Sequence, residues 1–275
     1  MPELPEVETV CRGLTPVLRG QQIHTLTLYR ENLRYPFPFL MSERLQGATI
    51  LSIRRRAKYI LIALSTQETW LIHLGMSGKF HNLRELTAPG KHDHLVMMLA
   101  SGTILAYNDP RRFGYMALLP TEHVEQSPYC KALGKEPLDP ELNAKNVQQL
   151  FANSRKPIKT ALLEQHRLVG LGNIYVCESL WAAGISPFRE SCSLTMQEWE
   201  RLLPKIQKIL QDAITAGGST LRDYKRVDGN LGCFQHYFSV YDCVGGACQK
   251  DNCDGTIGRV VQSGRSTFYC PVCQT

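Results

Sequence analysis

Two stretches of this 275-residue sequence place reactive residue types at a spacing that chemistry can use. The first is the opening, MPELPEVE. Once Met1 is removed, Pro2 is a secondary amine at the head of the chain, with the Glu3 carboxyl beside it. An α-amino group titrates near ~7.7–8.0 and a lysine near ~10.4, so the terminal amine holds more free base at neutral pH. A free amine is a nucleophile toward an electrophilic carbon, and a neighbouring carboxyl can move the protons. The same residues can also do no more than begin a helix. The rest of the chain has to separate the two readings.

The second stretch is the tail. Cys248, Cys253, Cys270 and Cys273 form C-x4-C-x16-C-x2-C. Two close pairs separated by a hairpin-length insert suit a tetrahedral four-cysteine zinc site. The insert, TIGRVVQSGRSTFYC, reads as two short strands about a Ser-Gly turn. Four thiolates leave no open coordination position, so the expectation is one structural Zn2+ per chain, against the alternative of four free thiols. Cys243 with Cys248 is also C-x4-C, and the choice of first pair stays open; Asp254-Gly255 favours Cys253 by supplying a tight turn. Arg265, near the hairpin tip, is either a solvated surface residue or a phosphate contact.

Three further segments carry candidate binding residues. LVGLGNIY matches only half of G-x-G-x-x-G, with Tyr175 where the third glycine would fall and a helical segment ahead of it. That argues against a dinucleotide site. Backbone N–H groups near Asn173 could still face an anion, or the glycines could simply make a tight turn between helices. HLGMSG and NDPRRFG read as turns between strands. Met76, Arg111 and Phe113 on them offer an apolar wedge and an arginine, the means by which proteins unstack base pairs. The competing reading tucks Met76 and Phe113 into the core.

The elements that must position these residues follow from periodicity. The start reads as a helix with Pro5 at its first position and Glu6 and Glu8 near the positive end of its dipole. Val7, Val10, Cys11, Leu14 and Leu18 give it one apolar face, and Gly20 ends it. From about 22 to 120 the chain turns to short β-branched runs, which predicts a β-sandwich. Helical patterns follow, with Asn173 as an N-cap, Gly184 as a stop, Thr195 and Glu198 as a capping box, and Pro204 expected to kink or shift its helix. The expected division is 1–125, a linker over 126–140, a helical domain over 141–234 and a four-cysteine finger over 235–275.

Bulk properties narrow the class. Hydrophobic content of 43% and charged content of 20% are those of an ordinary globular protein. Lys+Arg 31 against Asp+Glu 25 gives +6, which permits an anionic partner without demanding one. The start lacks the pattern of a signal peptide, and no run of 18 or more apolar residues suggests a membrane span. Cys11, Cys130, Cys177 and Cys192 lie among apolar neighbours and read as reduced, buried thiols, so the expected compartment is the cytoplasm.

Taken in order, MPELPEVE, RRRAKYIL, HLGMSG, KHDH, NDPRRFG, VGLGNIY and SGRSTFYCPVC closely resemble the bacterial formamidopyrimidine-DNA glycosylases over essentially the whole chain. Leu4 favours this branch over the related endonuclease VIII branch, which usually begins Pro-Glu-Gly-Pro-Glu. The resemblance implies an α+β fold of two domains: an N-terminal β-sandwich with flanking helices, then a helix–two-turn–helix domain with a β-hairpin zinc finger. It implies a monomer in the bacterial cytosol acting on double-stranded DNA that contains an oxidised base. The implied reaction excises 8-oxoguanine and formamidopyrimidines, then cuts the strand by β,δ-elimination. By matching motifs, Pro2 is the Schiff-base nucleophile and Glu3 its proton donor. Lys58 is the proton donor for β-elimination and Arg265 that for δ-elimination. His92, Lys159 and Asn173 contact DNA, and Met76, Arg111 and Phe113 fill the space of the everted base, Arg111 reading the orphaned cytosine. The 220–234 loop (TLRDYKRVDGNLGCF) varies within the family, so lesion preference does not carry over.

That chemistry suits a secondary amine. Attack on the sugar C1′ gives an iminium that stays charged, an electron sink for two successive eliminations. Roughly five neutralised phosphates, at Lys58, His92, Lys159, Asn173 and Arg265, predict a log-affinity slope against log salt of about −4 to −5. Three other readings stand beside this one: a non-catalytic zinc-finger DNA binder, an enzyme for oxidised pyrimidines, and an RNA or nucleotide binder.

Overall fold

The computed structural model describes residues 2–83, 89–219 and 232–275. The chain forms two compact units, Met1–Lys131 with Ala216–Cys233, and Ala132–Thr215 with Phe234–Thr275. The sequence reading carries the helical domain through 234 without interruption, whereas Ala216–Cys233 groups with the first unit. Residues 220–231 of the expected lesion loop lie outside the described residues.

The first unit opens with helix α1 (Leu4–Leu18), one residue earlier than Pro5 suggests, with Glu3 as its N-cap. The Glu6 carboxylate closes the first turn by accepting the Glu3 N–H at 2.9 Å. Pro5 costs nothing there, because first-turn N–H groups have no partner within a helix. Two four-stranded antiparallel sheets follow. One has the order β1 (Ile23–Leu28), β6 (Asp93–Leu99), β7 (Ile104–Asn108), β5 (Lys79–Leu83). The other has the order β2 (Ile50–Arg56), β3 (Tyr59–Leu64), β4 (Glu68–His73), β8 (Tyr115–Pro120). A short helix, α2 (Met41–Leu45), precedes β2. Leu26, Met97 and Tyr107 from one sheet pack with Ile62, Trp70 and Ile72 from the other in a single buried core, which makes the pair a sandwich. The α1 face of Val7, Val10, Cys11, Leu14 and Leu18 joins that core as its spacing predicts. Burial pushes the Cys11 thiol up to about 12, so it is inert at neutral pH.

The second unit holds α3 (Ala144–Phe151), α4 (Ile158–Leu162), α5 (Asn173–Ala183), α6 (Met196–Thr215) and the hairpin β9 (Gly258–Gln262)–β10 (Arg265–Tyr269). The capping box forms: Thr195 N–H donates to Glu198 Oε2 at 2.8 Å, and Glu198 N–H donates to Thr195 Oγ1 at 3.3 Å. Helix α6 continues through Pro204, so the proline does not shift its start. Burial of Trp199, Leu202, Leu203, Ile206 and Leu210 on either side outweighs the one lost backbone bond. Asn173 is the first residue of α5, and Gly172, not Asn173, is its N-cap. From α5 the buried Glu178 carboxylate accepts the backbone N–H groups of Ser239, Val240 and Tyr241 at 2.8–3.2 Å, fixing the segment that leads into the cysteine tail. Cys192 is exposed, contrary to the sequence reading, because it sits on a short 3-10 turn whose neighbour Ser191 is the buried member. Among the described residues no helix is long and apolar enough to cross a membrane.

Candidate active site

In the first unit, Pro2 is buried immediately ahead of α1, whose first-turn N–H groups carry the positive end of the helix dipole. Glu3 is buried beside it. Glu6, 2% exposed, spans two segments: Oε2 takes the Glu3 N–H at 2.9 Å, and Oε1 takes the Ser219 N–H at 2.8 Å and the Ser219 hydroxyl at 3.0 Å. Three donors on one carboxylate fix the backbone that presents Pro2.

Lys58, 7% exposed, lies in the two-residue turn between β2 and β3, where Ala57 takes a positive φ of 53°. Arg55 ties that turn to α1, pairing through Nε with Glu8 at 3.1 Å and donating through Nη1 to the Ala57 carbonyl at 3.1 Å. His73 stacks on Tyr115 with centroids 4.8 Å apart. Burial, then the charges of Lys58 and Arg34, pull His73 down to about 4, so the ring is neutral at neutral pH. Its Nδ1 accepts the Gly75 N–H at 3.0 Å, which assigns the ring proton to Nε2. The neutral imidazole thus holds the base of the turn that carries Met76.

Met76 and Phe113 stay out of the core. Met76 is half-buried, and Phe113 is 44% exposed with the Arg111 guanidinium 5.0 Å above its ring. The structure brings the HLGMSG and NDPRRFG turns together: a Cβ on Gly75 would lie 2.3 Å from the Phe113 carbonyl carbon. His92 follows Gly90 and precedes β6, where buried Asp93 accepts from Gly90 N–H at 2.9 Å and Asn108 Nδ2 at 2.8 Å and meets His81 Nε2 at 2.9 Å. Burial raises the Asp93 pKa, but these hydrogen bonds outweigh it and hold the carboxyl below its usual range.

In the second unit, Lys159 and Asn173 converge on the residue after Arg265. Asn173 Nδ2 donates to the Ser266 carbonyl at 2.8 Å, and Lys159 Nζ reaches the same oxygen at 3.4 Å. Lys159 is fully buried. Burial lowers its pKa; Cys177 opposes that shift and the Arg265 guanidinium adds to it. Arg265 itself is exposed at the start of β10, after a turn in which Ser263 and Gly264 take φ of 48° and 75°. The Ser-Gly hairpin turn is therefore as the sequence reading has it.

The sulfurs of Cys248, Cys253, Cys270 and Cys273 lie within 4.8 Å of one another, with 3.7 Å for Cys248–Cys273 and for Cys253–Cys270. A tetrahedron of ~2.3 Å zinc–sulfur bonds has edges of about 3.8 Å, so the donor set fits a closed four-thiolate site. Cys243 is not part of it; its sulfur turns to the Tyr241 and Phe238 carbonyls. Gly255 is required, since a Cβ there would lie 2.4 Å from Cys270 Sγ. Sequence reasoning missed Glu6 as a bridge, Ser219 as its partner and Asp109 as a buried hub. Asp109 was visible in NDPRRFG, but only as a turn residue.

Comparison with known proteins gives a consistent result. The family model for the formamidopyrimidine-DNA glycosylase N-terminal domain matches residues 1–116, and that for the formamidopyrimidine-DNA glycosylase H2TH domain matches residues 133–225. Formamidopyrimidine-DNA glycosylases of Cereibacter sphaeroides (strain KD131 / KCTC 12085) and Jannaschia sp. (strain CCS1) are each 49% identical, with 100% of both chains covered. A solved complex of the Lactococcus lactis Fpg with abasic-site DNA superimposes with a TM-score of 0.89 at 36% identity, covering 99% of each chain. A mutant of that protein with Fapy-dG DNA gives 0.90 at 36%, covering 100% of each.

Proposed function

The chain belongs to the formamidopyrimidine-DNA glycosylase family, and from that premise we propose that it is a bifunctional glycosylase and abasic-site lyase for oxidised purines in DNA. The observation that carries the reading is Pro2 at the head of α1, beside buried Glu3, with its backbone neighbour tied down by Glu6. The Pro2 nitrogen attacks C1′ of the damaged nucleotide, the C1′–N bond to the base breaks, and the proton released from the amine goes to the departing base. Glu3 protonates the ring oxygen as the sugar opens, leaving the iminium. Loss of a C2′ proton expels the 3′ phosphate and a second elimination expels the 5′ phosphate, with Lys58 and Arg265 as proton donors. The helix dipole favours the neutral amine, while the Glu3 carboxylate favours the charged one.

His92, Lys159, Asn173 and Arg265 hold phosphates, and Met76, Arg111 and Phe113 occupy the gap left by the everted base, which costs roughly a few kcal/mol to unstack. Cys248, Cys253, Cys270 and Cys273 hold one zinc ion, which supplies folding energy to the tail rather than chemistry. The protein works as a monomer in the cytoplasm.

Borohydride trapping tests this. Untagged protein is mixed with a duplex containing one 8-oxoguanine opposite cytosine, reduced, and analysed by peptide mass spectrometry. The expected result is a sugar adduct on Pro2, lost when an uncleaved tag precedes it and diminished in Pro2→Gly. An adduct on another side chain, or turnover without any adduct, overturns the mechanism. A matched duplex with an oxidised pyrimidine ranks the two lesion classes.

A further inference from the structure

The turns carrying Met76 and Arg111–Phe113 are fastened to each other by a buried pair that the chemistry above leaves unused. Ser77 donates its hydroxyl to Asp109 Oδ1 at 2.5 Å, and its oxygen accepts the Arg111 N–H at 3.1 Å. Asp109, 0% exposed, accepts the Gly114 N–H on Oδ2 at 2.8 Å, and its carbonyl accepts the Arg112 N–H at 3.2 Å. One carboxylate therefore closes the 109–114 turn on itself and locks it to the 74–78 turn. The glycines leave no slack: a Cβ on Gly78 or Gly114 would lie 2.3 or 2.1 Å from the Tyr107 hydroxyl oxygen.

We propose that Ser77 and Asp109 are positioning residues that make these two turns one rigid wedge, so that Met76, Arg111 and Phe113 enter a duplex together. The inference rests on the proposed role of those three side chains. Everting a base breaks stacking on both of its faces at once, so the filling groups help most when they arrive as a set. Side chains on two independent turns would each have to be ordered during insertion, and that ordering raises the barrier. The Ser77–Asp109 link removes that cost beforehand. It also accounts for a serine between Met76 and Gly78: its hydroxyl donates to one group and accepts from another, which alanine or glycine cannot do.

Ser77→Ala deletes the link with little change in volume. A 2-aminopurine beside an 8-oxoguanine·cytosine pair reports unstacking by its fluorescence, and cleavage at a preformed abasic site reports the chemistry where no base has to leave the stack. Ser77→Ala is expected to slow the fluorescence rise and base excision roughly tenfold, the rate equivalent of one buried hydrogen bond, and abasic-site cleavage much less. Asp109→Asn, the second variant, is expected to show the same excision-selective loss. In a Met76→Ala, Phe113→Ala background, Ser77→Ala is expected to add nothing. Equal slowing of excision and abasic cleavage, or full multiplication of the effects in the combined variant, overturns the coupling while leaving the wedge intact. Parent-like eversion by the Met76→Ala, Phe113→Ala protein overturns the wedge and the coupling together, and does so without reference to Ser77.

Discussion

Glu6 and Ser219, 213 positions apart, meet in a buried contact in which one carboxylate oxygen accepts both the backbone N–H and the hydroxyl of the serine, at 2.8 and 3.0 Å. The other oxygen accepts the Glu3 N–H at 2.9 Å. Glu6→Ala removes an acceptor that three donors share, and each buried hydrogen bond lost in this way costs about 1–3 kcal/mol. We expect the urea midpoint to fall by the equivalent of at least about 3 kcal/mol. We also expect the rate of borohydride trapping per folded molecule to fall about ten- to a hundredfold, because small misplacement of a nucleophile is that costly. Unaltered trapping beside lowered stability would show that Glu6 supports the fold alone.

His73 gives a pH dependence of defined sign. In the unfolded chain a histidine takes up its proton near ~6.5, whereas burial, Lys58 and Arg34 hold the folded one at about 4. Between these values the unfolded state binds more protons, so stability rises with pH and is lost as pH falls from about 6.5 to 4. The loss is at most about 3 kcal/mol. Tyr59 and Tyr115, whose pKa values burial raises, stay neutral throughout that window. His73→Asn keeps an acceptor near the Nδ1 position without the titration. Chemical denaturation from pH 4 to 7 should show a shallower slope for His73→Asn than for the parent; parallel slopes would exclude His73 as the cause.

How far the sequence reveals this protein depends on whether a feature is local. The β-branched runs from Ile50 to Asn108 read as strands because apolar and β-branched residues cluster between turn residues along the chain, and C-x4-C with C-x2-C reads as a metal site because ligand geometry sets the spacing. Asn173 misleads for the opposite reason. Asparagine is the better N-cap by propensity, yet Gly172 takes that position and Asn173 gives its amide to Ser266, 93 positions away. Ser77 with Asp109, and Glu6 with Ser219, belong to the same class: pairs made by the tertiary fold, with no periodicity linking their members. Pro204 shows propensity overruled by packing, as burial on both sides carries α6 through it.

The cysteine tail should fold only with its metal. Its core is small, with Val240, Ile257 and Phe268 packed around Cys177 and two of the four clustered thiols, and a two-stranded hairpin is marginal in water on its own. A closed four-thiolate site can contribute the missing folding energy. Elemental analysis should therefore find one zinc per chain. Removing it with a chelator, or substituting Cys273→Ser, should speed amide exchange in Gly258–Gln262 and Arg265–Tyr269 while α6 stays protected by its own apolar face. Arg265 rides on that hairpin, and Lys159 and Asn173 bond to the residue beside it, so loosening the hairpin should weaken binding to a duplex containing an abasic-site analogue at least about tenfold. A metal-free protein whose hairpin stays fully protected would show that side-chain packing alone holds the tail, leaving the four thiols without a structural role.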